Sequence, residues 1–287
     1  MKRLLMLLAV LGFSGSLQAG NIIMTGHDVL LHAGQRSFDA AALDYIRDGA
    51  AKASYDIAVI GTAGVGSGRF TGGVNVTGLG HGGSIALTGS TLSGYGSATF
   101  WDAASIAAAD FSTVDAIVIL SHTSCGGCSL TTAGADALEA LAPAIATAFN
   151  AGLDIWANSG ADDATYYDFL PPAVATAGHS IGGSSGFSCT ASGLAVFGAV
   201  GCTGPSSGGV SMINGYPTHN RFSGFDASFD ILEERVLSSS TEVITIGLLD
   251  AVIGTDDIST VPEPGTLTLF GLGLLGLGSM RRRRKAS

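Results

Sequence analysis

The chain alternates short, unbroken apolar blocks with longer segments of helical spacing. The blocks are Asn21–Thr25, Tyr55–Ile60, Ala116–Leu120 and Leu153–Ala157. Each is too short for a helix, and Ala116–Leu120 reads Ala-Ile-Val-Ile-Leu, as expected of a parallel strand covered on both faces. Between the first two blocks, Phe38–Ala53 places Ala42, Leu43, Tyr45, Ile46, Ala50 and Ala53 close to a 3.6-residue period. Between the last two, Thr131–Asn150 places Leu138, Leu141, Ile145 and Phe149 on one face, and Ala151-Gly152 closes that helix. A short helix is expected over Ala104–Asp110, and Tyr166–Leu170 starts another that stops at Pro171-Pro172. Residues 63–97 are rich in Gly, Ser and Thr and hold short strands such as Ser84–Leu87. Residues 180–209 read as loop, and Phe229–Leu232 and Val243–Leu248 as further strands. Strands separated by helices imply a single α/β domain over residues 20–250. Its mainly parallel sheet is flanked by helices and interrupted by Gly/Ser-rich inserts.

The two ends follow a different pattern. Lys2 and Arg3 precede the apolar stretch Leu4–Phe13, and Leu17-Gln18-Ala19 ends it in small residues. This is the order of a secretory signal peptide over residues 1–19, cleaved after Ala19. At the other end a linker (residues 251–260) leads to Pro262-Glu263-Pro264. An uncharged run follows from Thr266 to Met280, and then Arg281-Arg282-Arg283-Arg284-Lys285. As a helix the run spans ~22 Å, short of a hydrocarbon core ~30 Å thick. The basic cluster stays cytoplasmic by the positive-inside rule, which leaves the body on the other side. The tripartite tail (residues 261–287) resembles the PEP-CTERM sorting signal of exported bacterial proteins. That resemblance implies passage through the secretion translocon and a transient membrane anchor at 266–280. Recognition and processing by an exosortase would follow, with delivery to the cell surface or extracellular matrix of a Gram-negative bacterium and association with exopolysaccharide.

Setting the ends aside changes the charge. The whole chain carries −10, but seven of its 13 basic residues lie in the two targeting segments. Counted with Glu263 of the tail, the body keeps six basic residues against all 23 acidic ones, a balance of −17. Such a body repels nucleic-acid phosphates and suits contact with divalent cations in a polymer matrix. The four cysteines, Cys125, Cys128, Cys189 and Cys202, fit two structural disulfides in an oxidising compartment, although four cysteines allow three connectivities. A redox Cys-x-x-Cys pair and a zinc site are the rival readings. Cys189 and Cys202 lack the close spacing of a second zinc ligand pair.

In an open parallel sheet, ligands bind beyond the carboxyl ends of the strands. There stand His27 and Asp28, then Gly61 and Thr62, then Ser121 and His122, then Asn158, Ser159 and Asp162. A late loop from Gly215 to Phe222 adds His219 and Asn220. The rhythm of strand, helix, strand, insert, Ala-Ile-Val-Ile-Leu-Ser-His, long helix and Asp-Ile-Trp-Ala-Asn-Ser-Gly resembles the flavodoxin-like, class I glutamine-amidotransferase-like fold. Within that fold the ThuA-like branch is nearest. Ser159 stands where that family carries its cysteine. The surrounding Gly-x-Cys-x-Gly is absent, and Arg221 replaces the glutamate of its late His-x-Glu, so glutamine hydrolysis is not expected. A Ser159–His219 pair oriented by Asp28 or Asp162 is the candidate for nucleophilic chemistry. The alternative is that Ser159 and Asp162 cap the next helix. His27, Asp28, His122 and His219 are candidate metal ligands, although none shows a fixed local spacing. Asp162-Asp163 lacks a calcium-loop pattern, and the Gly-rich run after Ile60 lacks the downstream acid of a dinucleotide site. The leading expectation is a non-enzymatic or vestigial domain displayed outside the cell. The alternative is an exported hydrolase or carbohydrate-modifying enzyme with its site at the strand ends. For the secretory reading, mass spectrometry of the exported protein is expected to find Gly20 at its N-terminus. A retained apolar segment Leu4–Phe13 would contradict it.

Overall fold

The apolar blocks become the centre of one large sheet in the computed structural model. It describes residues 19–27, 36–48, 54–61, 75–79, 83–86, 95–96, 98–125, 130–163, 165–170, 175–181, 186–203 and 218–251. In chain order the strands and helices are β1 (Gly20–Thr25), α1 (Arg36–Arg47), β2 (Ile57–Ile60), β3 (Asn75–Leu79), β4 (Gly83–Ala86) and β5 (Ala98–Trp101). Next come α2 (Ala103–Ala107), β6 (Ala116–Ile119), α3 (Thr132–Glu139), α4 (Ala142–Asn150) and β7 (Asp154–Ala157). The chain continues through β8 (Ala175–Ile181), β9 (Phe187–Cys189), α5 (Ala191–Thr203), β10 (Thr218–Ser223), β11 (Asp230–Val236) and β12 (Thr241–Ala251). All of them belong to one unit, Met1–Ile253.

The sheet is mixed. Its path runs β5-β2-β6-β7-β1-β12-β10-β8, and β11 lies on β12 and β9. From β5 to β1 every pairing is parallel. From β1 to β8 every pairing is antiparallel. The α/β class and the parallel core read from the sequence hold. The antiparallel extension was only partly visible, because β8 and β10 carry few large apolar residues.

Alternation along the central strands divides the core into two layers. Ile23, Val59, Val118 and Trp156 face one side, where Phe38, Ala42, Leu43 and Ile46 of α1 and Phe197 of α5 cover them. Ile22, Met24, Ile60, Ile119 and Ile155 face the other, under Ile106, Leu138, Ile145, Phe149 and the aromatic segment Tyr166–Leu170. The unbroken apolar blocks follow directly from burial on both faces.

Three expectations change. The single helix over Thr131–Asn150 is two helices, because Pro143 near the start of α4 cannot donate a backbone hydrogen bond and fits only a first turn. Tyr166–Leu170 forms turns rather than a helix, its aromatic rings packing together under the sheet. Residues 180–209, read as loop, contain β9 and α5, which the Cys189–Cys202 disulfide ties together. Closing a loop of that size stabilises by about 3 kcal/mol in the chain-entropy account. The Cys125 side chain and Cys128 lie outside the described residues, as do Asp28, the linker from 252 onward and the sorting segment 261–287. Among the described residues no helix is long and apolar enough to cross a membrane.

The start of α5 sits on β11 without room for a side chain. A Cβ on Gly193 would come within 1.7 Å of the Leu232 carbonyl oxygen. Gly193→Ala is therefore expected to destabilise the domain by about 2–3 kcal/mol, within the range for overpacking. A lowered urea midpoint with unchanged m-value is the readout.

Candidate functional site

Chain direction locates the crevice. From β2 the chain moves outward to β5, and from the adjacent β6 it moves the other way to β7. Neighbouring strands whose connections diverge leave a gap beyond their carboxyl ends. Ser121 and His122 stand at that place. An open groove of about 680 Å³ lies at the opposite end of the sheet, lined by Asp110, Phe111, Val114, Thr147, Ala148 and Leu153. None of the candidate site residues lines it.

Beyond β7 and β1 the polar residues are sealed in. Ser159 is fully buried, and its hydroxyl donates to Asn220 Oδ1 at 2.6 Å. The Ala161 backbone N–H donates to both Ser159 Oγ, at 3.0 Å, and Asn220 Oδ1, at 2.8 Å. The Asn220 amide donates back to the Ala161 carbonyl. Asn158 donates its amide to the Ile119 carbonyl at 2.9 Å, and the Tyr167 hydroxyl donates to the Asn158 carbonyl at 2.7 Å. The structure thus brings Ser159 to Asn220 rather than to His219. The reason is a bulge: the backbone N–H groups of His219 and Asn220 both point at the Gly26 carbonyl, at 2.8 and 3.3 Å. Gly26 is required there, since a Cβ would fall 2.0 Å from the Asn220 carbonyl oxygen. The segment read as a loop is β10, an internal strand of the sheet. Among the described residues no helix follows Ser159 before β8, and the chain turns where Ser159 or Asp162 was expected to cap one.

His27 is buried in a second network. Its Nε2 lies 2.8 and 3.0 Å from the two carboxylate oxygens of Glu233, and its Nδ1 lies 2.9 Å from Thr218 Oγ1. Thr245 donates to Glu233 Oε2 at 2.7 Å and meets the Thr25 hydroxyl at 3.0 Å. Phe187 packs its ring edge-on against the imidazole. Glu233 was not legible as a partner: it precedes Glu234, and the pair reads as a solvated strand edge. Bulges in the β11–β12 ladder beside it turn its side chain inward.

His122 is buried as well, but the hydroxyl it meets, on Ser124, belongs to an exposed residue. Its Nδ1 accepts from the Ser124 backbone N–H at 3.2 Å and meets Ser124 Oγ at 2.8 Å. Its Nε2 lies 3.0 Å from Thr132 Oγ1 and 3.2 Å from Asp163 Oδ2. Ser124 Oγ also accepts the Asp162 backbone N–H at 3.0 Å. Asp163 is held in turn by Thr165, whose N–H and hydroxyl both donate to Oδ1. Burial holds the imidazole pKa below its ordinary value, although Asp163 and Asp162 pull it up. His122 is therefore neutral at pH 7, with Nδ1 as its acceptor nitrogen. Asp162 takes part through its backbone, and the carboxylate beside the ring belongs to Asp163. The sequence signal was local: His122-Thr123-Ser124 puts a base and a hydroxyl two residues apart.

His27, His122 and His219 do not converge. Among the described residues no group of three or more His, Cys, Asp or Glu is placed to hold a metal ion.

Residues 260–284 match the family model of the PEP-CTERM protein-sorting motif. This match supports an exported protein sorted by an exosortase, and it covers the Pro262-Glu263-Pro264 element, the apolar run and most of the basic cluster. No curated protein and no solved structure matches the chain.

The His27–Glu233 network gives a stability test. Glu233→Ala strands a buried imidazole and the Thr245 hydroxyl, and is expected to cost about 3–5 kcal/mol. Glu233→Gln keeps hydrogen-bonding capacity and is expected to cost less. Thermal unfolding of both variants checks the order.

Proposed function

We propose that the chain is an exosortase substrate whose α/β domain works outside the inner membrane. There it is displayed at the cell surface or held in the exopolysaccharide matrix. The observation that carries this reading is the sorting motif at 260–284 behind an acidic body. The translocon exports the chain and segment 266–280 stops in the membrane. Arg281–Lys285 remain on the cytoplasmic side, and processing near Pro262-Glu263-Pro264 releases the domain. So acidic a body attracts divalent cations, which bridge it to acidic polymers.

On this reading the domain is vestigial as an amidotransferase. Support comes from Ser159, whose hydroxyl is committed to Asn220 in a buried site, and from Arg221, whose guanidinium pairs with Glu242 at 2.6 Å. The amidotransferase likeness itself rests on the strand rhythm of the sequence. A second reading, an exported hydrolase, is favoured by one observation: the contact of His122 with the exposed Ser124 on one nitrogen and with Asp163 on the other.

Deleting the host exosortase tests the sorting. The chain is expected to accumulate in the membrane fraction with its C-terminal peptide uncut, and Pro262→Ala with Pro264→Ala is expected to reproduce that. Release and trimming at the wild-type level in both strains would contradict the proposal.

A further inference from the structure

We infer that Ser124, His122 and Asp163 form a serine-hydrolase site for neutral carboxylic esters. The inference rests on the hydrolase reading above and names its residues and substrate class. It does not depend on how the tail is processed.

The argument starts from proton positions. His122 Nδ1 accepts the Ser124 backbone N–H, so the proton of the neutral ring sits on Nε2. Nε2 faces Thr132 Oγ1 and the Asp163 carboxylate. The one lone pair of Nδ1 is shared between the Ser124 backbone N–H, at 3.2 Å, and the Ser124 hydroxyl, the closer donor at 2.8 Å. This is the tautomer that a general base requires, with a carboxylate on the far side of the ring to stabilise the imidazolium. The two nitrogens have exchanged their usual parts. The cause is sequence spacing: a serine two residues after its histidine is reached by Nδ1 and not by Nε2.

The site is held and also accessible. The His122 N–H donates to the Ser159 carbonyl at 2.9 Å, and Thr123 and Ser121 exchange hydrogen bonds with Leu130. Base and hydroxyl thus stand on backbone fixed from both sides, which favours preorganised chemistry. The imidazole is nearly buried, whereas Ser124 is exposed. The Asp162 N–H that donates to Ser124 Oγ stabilises that oxygen as it leaves the acyl carbon in the second half of the reaction. Acidic neighbours and an acidic body disfavour anionic substrates, a limit that a neutral ester meets.

The reaction balances without a co-reactant other than water. Ser124 Oγ bonds to the ester carbonyl carbon while its proton passes to His122 Nδ1. The bond to the leaving alcohol oxygen breaks, and the alcohol takes that proton. Water then gives a proton to Nδ1 as its oxygen adds to the acyl carbon. The Ser124–acyl bond breaks, the acid departs, and Ser124 Oγ recovers the proton. Asp163 and Thr132 are positioning residues throughout.

The test uses the detergent-purified full chain, a fluorophosphonate probe and p-nitrophenyl acetate. The probe is expected to modify Ser124, located by peptide mass spectrometry. Ser124→Ala is expected to abolish labelling, and His122→Gln to lower ester hydrolysis about 100-fold, the usual scale for losing a general base. The wild-type rate should fall only below the ordinary imidazole pKa of ~6.5 as His122 protonates. Asp162 and Asp163 are the charged groups facing the ring. Asp163→Asn removes a carboxylate that raises the imidazole pKa, so it should slow the reaction and move the midpoint further to acid. Labelling at another serine would overturn this assignment and leave the hydrolase reading standing. No labelling of the wild-type chain and no ester hydrolysis would overturn both.

Discussion

One strand carries two kinds of sheet. β1 takes parallel partners from β7 on one edge and antiparallel partners from β12 on the other. At its end Gly26 admits the β10 bulge, and His27 drops beneath the sheet onto Glu233. A buried carboxylate is tolerable only when its oxygens are satisfied. Here the imidazole and Thr245 satisfy both. The parallel half and the antiparallel half are therefore bound at a single polar seam. Any element that depends on β10, β11 or β12 depends on it.

That constraint explains why similar residues at neighbouring strand ends differ in what they can do. The ends of β1 and β7 are covered by β10 and by Tyr166 and Tyr167, so Asn158, Ser159 and Asn220 spend their hydrogen bonds on closing the seam. Tyr166 also reaches the end of β6, where Leu120, Ser121 and His122 are buried, and the chain comes to the surface only at Ser124. There His122 binds a neighbouring hydroxyl on one nitrogen and lies against a carboxylate with the other. The chemistry-bearing residue types occur in both places, but Ser159 is sealed in and Ser124 is exposed.

Legibility in the sequence followed the same division. β2, β6 and β7 were plain because burial on both faces leaves an unbroken apolar run. α1 was plain because one face meets the core and the other meets water. β10 was not, since Thr-His-Asn-Arg-Phe-Ser lacks alternation and its polar residues are satisfied by distant partners. The Ser159–Asn220 bond spans 61 residues and the His27–Glu233 contact spans 206. No local pattern reports such pairings. His122 was picked out by its position, but Ser124 was passed over because loop serines are common. The sorting tail was the most legible part, being a linear signal that needs no fold to be read.

The central claim is that the seam of β1 with β7, β10 and β12 is architecture. Native-state hydrogen exchange across a denaturant series tests it at the Ser159 and His219 amides, which donate to His27 and Gly26 across the seam. Both amides are expected to exchange only through global unfolding, with the same free energy and denaturant slope as the β6 amides of Ile117 and Val118. Exchange of Ser159 and His219 through a small, denaturant-independent opening would contradict the account and mark that end of the sheet as a mobile site.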